Sequence, residues 1–294
     1  MPDFDTVWRS IVGLEGETFR LKKGQQFKYV ISGNSVVPTT TNRQLKRSQF
    51  MRAFERMPVQ RPAELGGLQG PSYLFAILTD PRISAADHAF VPAPAALRGL
   101  DPRRTLLVVP ASAEKALGGT PSQRHVDWCS QALRQGRERV LAAVPCDTSL
   151  LLPAWRRYMG GFYQQAGAAL AEAVTDGNLV IISGGYGIVP AREPIGWYDR
   201  ALDLSDWPAG VLEAALIGEA HRAGAETVVA FAAAGSGYAD VVRGASWSAF
   251  GLTAHLVTVD SADSDASRGL GLAFKAFWNE ASGYPEGTSA ERLG

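Results

Sequence analysis

The run Ser183-Gly-Gly-Tyr-Gly-Ile-Val-Pro-Ala-Arg-Glu-Pro-Ile-Gly-Trp-Tyr-Asp199 packs turn glycines, acids, an arginine and aromatics into one stretch directly after the apolar segment 179–182. Tyr186 and Tyr198 offer ring faces and hydroxyls, while Glu193 and Asp199 offer carboxylates. Flat heteroaromatic ligands call for that set: stacking, hydrogen bonds to a base edge and a general acid or base. Gly184, Gly185 and Gly187 permit backbone conformations and close approaches that side chains would block. The competing reading is a crossover whose tyrosines bond backbone, whose Asp199 caps a turn, and whose Arg192 and Glu193 form a surface pair.

Two further loops carry reactive residue types. In Pro110-Ala-Ser-Ala-Glu-Lys115, Ser112 and Lys115 stand three residues apart. On a first helical turn they would share a face suited to anion binding or, with a desolvated lysine, to base-assisted chemistry. Spacing alone favours the alternative, an N-cap serine beside a solvated lysine. Gly235-Ser236-Gly237-Tyr238 has the composition of an anion nest before a helix but lacks the dinucleotide fingerprint, so Ser236 and Tyr238 are binding candidates without a cofactor. His88, His125, His221 and His255 are scattered, with no metal-ligand spacing. Trp128, Trp155, Trp247 and Trp278 fall on or beside helical patterns and read as core.

These loops need elements to hold them. From residue 105 onward apolar runs alternate with helical patterns: strands at 105–109, 140–144, 179–182, 227–233 and 254–259, and helices at 126–135, 156–174, 210–223, 239–250 and 269–280. That alternation predicts an α/β domain with a mainly parallel sheet covered by helices on both faces, whose ligand groups collect at the carboxyl ends of the strands. Ahead of it, a helix over 4–14, short strands at 18–21 and 27–31, an amphipathic helix over 44–57 closed by Pro58 and a helix over 72–78 make a small α+β module. Pro92, Pro94 and Pro102 mark 85–104 as a linker. The predicted organisation is therefore a module at 1–84, a linker at 85–104, an α/β domain at 105–282 and a frayed tail at 283–294.

The 294 residues are 46% hydrophobic, enough for a sizeable core, and carry 29 basic and 29 acidic side chains. Global charge therefore favours neither nucleic acid nor membrane. The distribution is uneven, however: 10 Lys or Arg against the single acid Glu55 lie between Arg20 and Arg61. Lys22, Lys23, Lys28, Arg43, Lys46 and Arg47 are candidates for a face that binds a nucleic-acid backbone, with a solvated helix face as the alternative. Cys129 and Cys146 alone give no disulfide framework or structural zinc set. Without a signal-peptide core or a long apolar run, the sequence predicts a cytoplasmic protein with no membrane partner.

Together, Pro-x-Ser-x-x-Lys at 110–115, Pro-Ala-Trp-Arg-Arg-Tyr-Met-Gly-Gly-Phe-Tyr-Gln-Gln at 153–165 and the stretch 183–199 resemble the YaaA superfamily of peroxide-stress proteins over roughly residues 105–260. The Gly-Ile-Val-Pro-Ala-Arg-Glu…Tyr-Asp portion is also similar to a loop of archaeosine synthase, which modifies a deazaguanine base in tRNA. The resemblance implies one pocket lined by Ser112, Lys115, Tyr186, Glu193, Tyr198 and Asp199, and either nucleobase chemistry or DNA binding in oxidative stress. The archaeosine-type Pro-Cys-Ser reads Pro-Ala-Ser here, so Ala111 excludes a thiol-dependent reaction at that position.

The leading expectation is a nucleobase- or nucleotide-modifying enzyme using acid/base chemistry. Ser112, Lys115, Glu193 and Asp199 would be catalytic, and Gly184, Gly185, Tyr186, Tyr198, Ser236 and Tyr238 would bind the base or nucleoside. Two rivals stand beside it: a non-catalytic DNA-binding stress protein, and a biosynthetic enzyme acting on a free purine-like metabolite.

Overall fold

The computed structural model describes residues 4–41, 43–57, 59–84, 90–121, 129–260, 266–281 and 283–294. It divides into two compact units, Met1–Phe90 and Val91–Gly294.

In the first unit, helix α1 (Phe4–Gly13) precedes a hairpin of β1 (Phe19–Arg20) and β2 (Gln26–Phe27). A three-stranded antiparallel sheet follows: β3 (Tyr29–Ser32), β4 (Ser35–Pro38) and β5 (Leu45–Lys46). Helices α2 (Arg47–Phe54), α3 (Pro71–Leu78) and α4 (Pro81–Ser84) complete it. The predicted helix over 44–57 is thus shorter, because Leu45 and Lys46 extend the sheet; its expected stop, Pro58, lies outside the described residues. Trp8, Phe19, Phe27, Tyr29 and Phe50 form an aromatic core, and the buried Tyr29 hydroxyl donates to Ile11 O at 2.6 Å.

Strand β6 (Phe90–Pro92) begins on the last residue of the first unit, and the second unit goes on with β7 (Leu106–Pro110), α5 (Gln131–Ala142), β8 (Cys146–Pro153), α6 (Ala154–Arg157), α7 (Gly161–Asp176), β9 (Asn178–Ser183), β10 (Gly187–Pro190) and β11 (Pro194–Tyr198). Then come α8 (Val211–Arg222), β12 (Thr227–Phe231), α9 (Gly237–Gly244), β13 (Thr253–Val259), α10 (Ala266–Trp278), β14 (Gly283–Pro285) and β15 (Thr288–Leu293). Its six-stranded sheet has the order β10-β9-β7-β12-β13-β15, parallel through β9, β7, β12 and β13 and antiparallel at both edges. The chain is a mixed α/β protein, and no helix of the described residues is long and apolar enough to cross a membrane.

The apolar runs become interior strands because both faces of the sheet are covered. Leu107, Val109, Ile181, Val229, Phe231 and Val257 face α7 and α10, whereas Leu106, Val108, Val180, Val228, Ala230 and Leu256 face α5, α8 and α9. From β7 the chain next adds β9 on one side and later returns to add β12 on the other. The carboxyl end of β7 therefore lies at a topological switch point, where open α/β sheets leave a crevice.

Three predicted features are corrected. The apolar run 140–144 is the end of α5 rather than a strand, since Leu133, Gly136, Arg137 and Val140 bury one helical face. Residues 91–104 are no free linker: they carry β6, which neighbours β14, and two short 3-10 turns. The tail is not frayed, because β15 pairs with β13 from Ala254 to Val259 and forms a sheet edge.

That edge contains a pH-sensitive position. His255 on β13 lies opposite Arg292 on β15 and is 5% exposed. Burial, and then the nearby guanidinium, hold its imidazole below the ordinary histidine range. The unfolded imidazole titrates near 6.5, so the folded protein binds this proton later on acidification. Stability is expected to hold above about pH 6.5 and to fall as pH drops through the folded value. Denaturation midpoints between pH 7.5 and 5 measure this, and His255→Gln should flatten that part of the profile.

Candidate functional site

At the end of β7 the amide of Ala111 still bonds Ile182 O at 2.9 Å, and the chain then turns away from the sheet. The turn is held by Ser112, whose Oγ accepts from the amides of Glu114 (3.1 Å) and Gly160 (3.0 Å). Residues 114–116 run antiparallel to 157–159: Met159 N donates to Glu114 O, Ala116 N donates to Arg157 O, and Lys115 lies opposite Tyr158. A Cβ at Gly160 would come within 2.2 Å of the serine oxygen, so a side chain there would push the hydroxyl off its two amides. Ser112 is therefore a loop lock rather than a helix cap. Ser112→Ala is expected to lower stability by about 1–2 kcal/mol through two amides losing their acceptor, read as a shift in denaturation midpoint.

This lock presents Lys115. Its side chain is half-buried, with Nζ 4.4 Å from the centre of the Tyr198 ring and hydrogen-bonded to Ala113 O at 3.3 Å. Burial holds the ammonium below the ordinary lysine range, and the Asp199 carboxylate offsets this in part. Asp199 is exposed and fixed through its amide to Pro145 O. A lysine so placed has a larger neutral fraction than a solvated one, and it keeps a carboxylate nearby to take or return a proton.

Beneath it lies a buried hydroxyl cluster. Tyr198 OH and Ser183 Oγ are 2.8 Å apart, Tyr158 OH donates to Ser183 Oγ at 3.0 Å, and the two phenol oxygens are 3.0 Å apart. Burial pushes both phenols up from their ordinary value, so they remain protonated and neutral. Tyr163 stacks at 5.6 Å from Tyr158 and donates to Pro110 O, which ties the cluster to the end of β7. The support is rigid because each hydroxyl is engaged and each ring is buried.

Several predicted roles change. Glu193 is not available as a base, because it is buried and ion-paired with the equally buried Arg137 at 2.9 Å, whose guanidinium also donates to Tyr186 O and Ile188 O. Tyr186 and Tyr198 do not stack on a ligand: they are 0% and 1% exposed, they pack edge to face at 5.4 Å, and Lys115 covers Tyr198. The Tyr186 hydroxyl instead accepts from Gly196 N. Gly184 and Gly185 permit close packing rather than ligand approach, since a Cβ on either would lie 2.5 Å from backbone at 200–201 or 2.6 Å from the Tyr198 ring. Ser236 caps α9 by accepting from Ala239 N while donating to Ala233 O. Tyr238 is part-buried, and its hydroxyl is pushed up first by burial and then by the influence of Tyr198.

Lys115, Ser112, Tyr186, Tyr198, Asp199 and Tyr238 thus meet around one strand end, while Glu193 braces it from inside. Sequence reasoning missed Tyr158, Ser183 and Arg157. Arg157 is fully buried and donates to the carbonyls of Ala116, Leu150 and Ile195, so it ties the Lys115 segment to β8 and β11. The double arginine set among aromatics in Trp-Arg-Arg-Tyr was the available signal: one arginine faces solvent, and the other is fixed inside.

In the first unit Lys22, Lys23, Lys28, Arg43 and Lys46 are exposed. They do not share a helix face. Lys22 and Lys23 sit at the β1–β2 turn, and Lys46 on β5 pairs with Ser35. Arg47 is committed to structure, ion-paired to Asp5 and lying over Phe4 and Trp8.

No family model matches the chain, and no curated protein matches it.

Proposed function

We propose that the second unit is a YaaA-like enzyme domain that binds a nucleobase or nucleotide at the switch point and acts on it through Lys115 and Asp199. The observation that carries this reading is Lys115 itself: a half-buried amine laid over a buried tyrosine ring, at the crevice position of an α/β sheet, with the Asp199 carboxylate close enough to act on its charge. Asp199 is the proton carrier, Lys115 contacts the carbonyl or anionic group of the ligand, and Tyr238 forms part of the rim. Ser112 and the hydroxyl cluster are positioning residues. This division follows from what is already engaged: Ser112 Oγ accepts from two amides and the hydroxyl cluster is buried, whereas Lys115, Asp199 and Tyr238 keep exposed surface.

Calorimetric titration with a panel of nucleobases, nucleosides and nucleotides tests it. The intact protein should bind one member, and Lys115→Met should lose that binding while keeping the parent denaturation midpoint. If binding is equal in both proteins, Lys115 does not belong to the site.

A second reading concerns the first unit, where Lys22, Lys23, Lys28, Arg43 and Lys46 are open to solvent. They suit contacts to polynucleotide phosphates, and such binding weakens steeply with salt. Charge reversal at Lys28 and Lys46 should reduce both the affinity and the salt slope.

A further inference from the structure

The chain has six lysines, Lys22, Lys23, Lys28, Lys46, Lys115 and Lys275. The four in the first unit are exposed. Lys115 differs from them in having its Nζ over a ring that is 1% exposed, on a segment pinned on both sides. An amine serves as a nucleophile when it is partly desolvated, held in one place and provided with a group that can move its proton. Burial lowers the proton affinity of Lys115, and the exposed Asp199 is the carboxylate that acts on it.

We infer that Lys115 is a covalent nucleophile that forms an imine with an aldehyde- or ketone-bearing ligand. This inference rests on the proposed reading of the same site. Within that reading, the ligand is a nucleotide whose sugar is open at the carbon that carried the base. The neutral amine attacks the carbonyl carbon, and the carbonyl electron pair moves to oxygen. Asp199 takes a proton from the attacking nitrogen and returns it to that oxygen. A further proton from solvent lets the oxygen leave as water, and a carbon–nitrogen double bond with one positive charge remains on the lysine. The covered Tyr198 face is placed to favour that cation, as it favours the ammonium. No oxidant or reductant takes part.

Reduction with borohydride makes such an imine permanent, so peptide mass mapping after trapping is the test. The intact protein at pH 7.5 is exposed to limiting pyridoxal phosphate in one arm and to a base-free deoxyribose oligonucleotide in another, each followed by borohydride. The inference predicts that the adduct forms at Lys115 ahead of the other five lysines in both arms, and that Asp199→Asn slows it without moving the denaturation midpoint. Adducts on Lys115 in the first arm alone also support the imine, while removing the open-sugar nucleotide as its ligand. Adducts spread over the exposed lysines with Lys115 unmodified overturn the inference. Nucleotide binding lost in Lys115→Met, with no adduct in either arm, also overturns it and leaves the proposed function standing.

Discussion

Replacing Glu193 by alanine is expected to cost about 3–5 kcal/mol, the range for removing one partner of a buried ion pair and leaving the other charge uncompensated. Arg137 and Glu193 are both nearly inaccessible, and the arginine simultaneously holds Tyr186 O and Ile188 O on the β9–β10 hairpin. The stranded guanidinium has no water to turn to, so the hairpin that carries Ser183 and Tyr186 loosens with it. Denaturant titration of the full chain reads the effect as a lowered midpoint. Glu193→Gln should be milder because it keeps acceptor geometry toward Arg137. A catalytic Glu193 makes the opposite prediction: unchanged stability with lost function.

Arg157→Met should be nearly as damaging, with a larger consequence for Lys115. The methionine fills much of the volume but donates nothing, so the carbonyls of Ala116, Leu150 and Ile195 each lose a charge-assisted partner. Each such loss costs about 1–3 kcal/mol, offset in part because a buried charge no longer has to be desolvated. Ala116 directly follows Lys115, so the segment that presents the amine loses its inner anchor. Hydrogen exchange should rise at 114–116 and 150–152 more than in β12 or β13. Equal exchange in all these segments would show that Arg157 does not hold the loop.

The sequence and the structure part company in instructive places. Continuous apolar runs such as Leu-Leu-Val-Val and Leu-Val-Ile-Ile announced β7 and β9, because a strand buried on both faces has no polar side to show. β8 gave no such signal: its first four residues, Cys-Asp-Thr-Ser, are exposed and read as a turn. The run around Val140 misled because a short apolar segment fits a helix face as well as a strand. Ser112, Lys115 and Asp199 were legible because strand-end loops gather polar groups. Glu193 looked the same in sequence, but its burial depends on Arg137, 56 residues away. The tyrosines were legible as a group, but which faces they would leave open was not. That depends on Gly185 and Lys115 covering Tyr198.

On the proposed reading, a ligand enters at the carboxyl end of β7 and meets Lys115. A crystal of the protein soaked with nucleobases, nucleosides and nucleotides tests it directly. New density is expected within hydrogen-bond reach of Lys115 Nζ and flanked by Asp199 and Tyr238, with Glu193 and Tyr186 untouched. Density seated elsewhere in the second unit, with Lys115 still resting on Tyr198 and making no ligand contact, would contradict it.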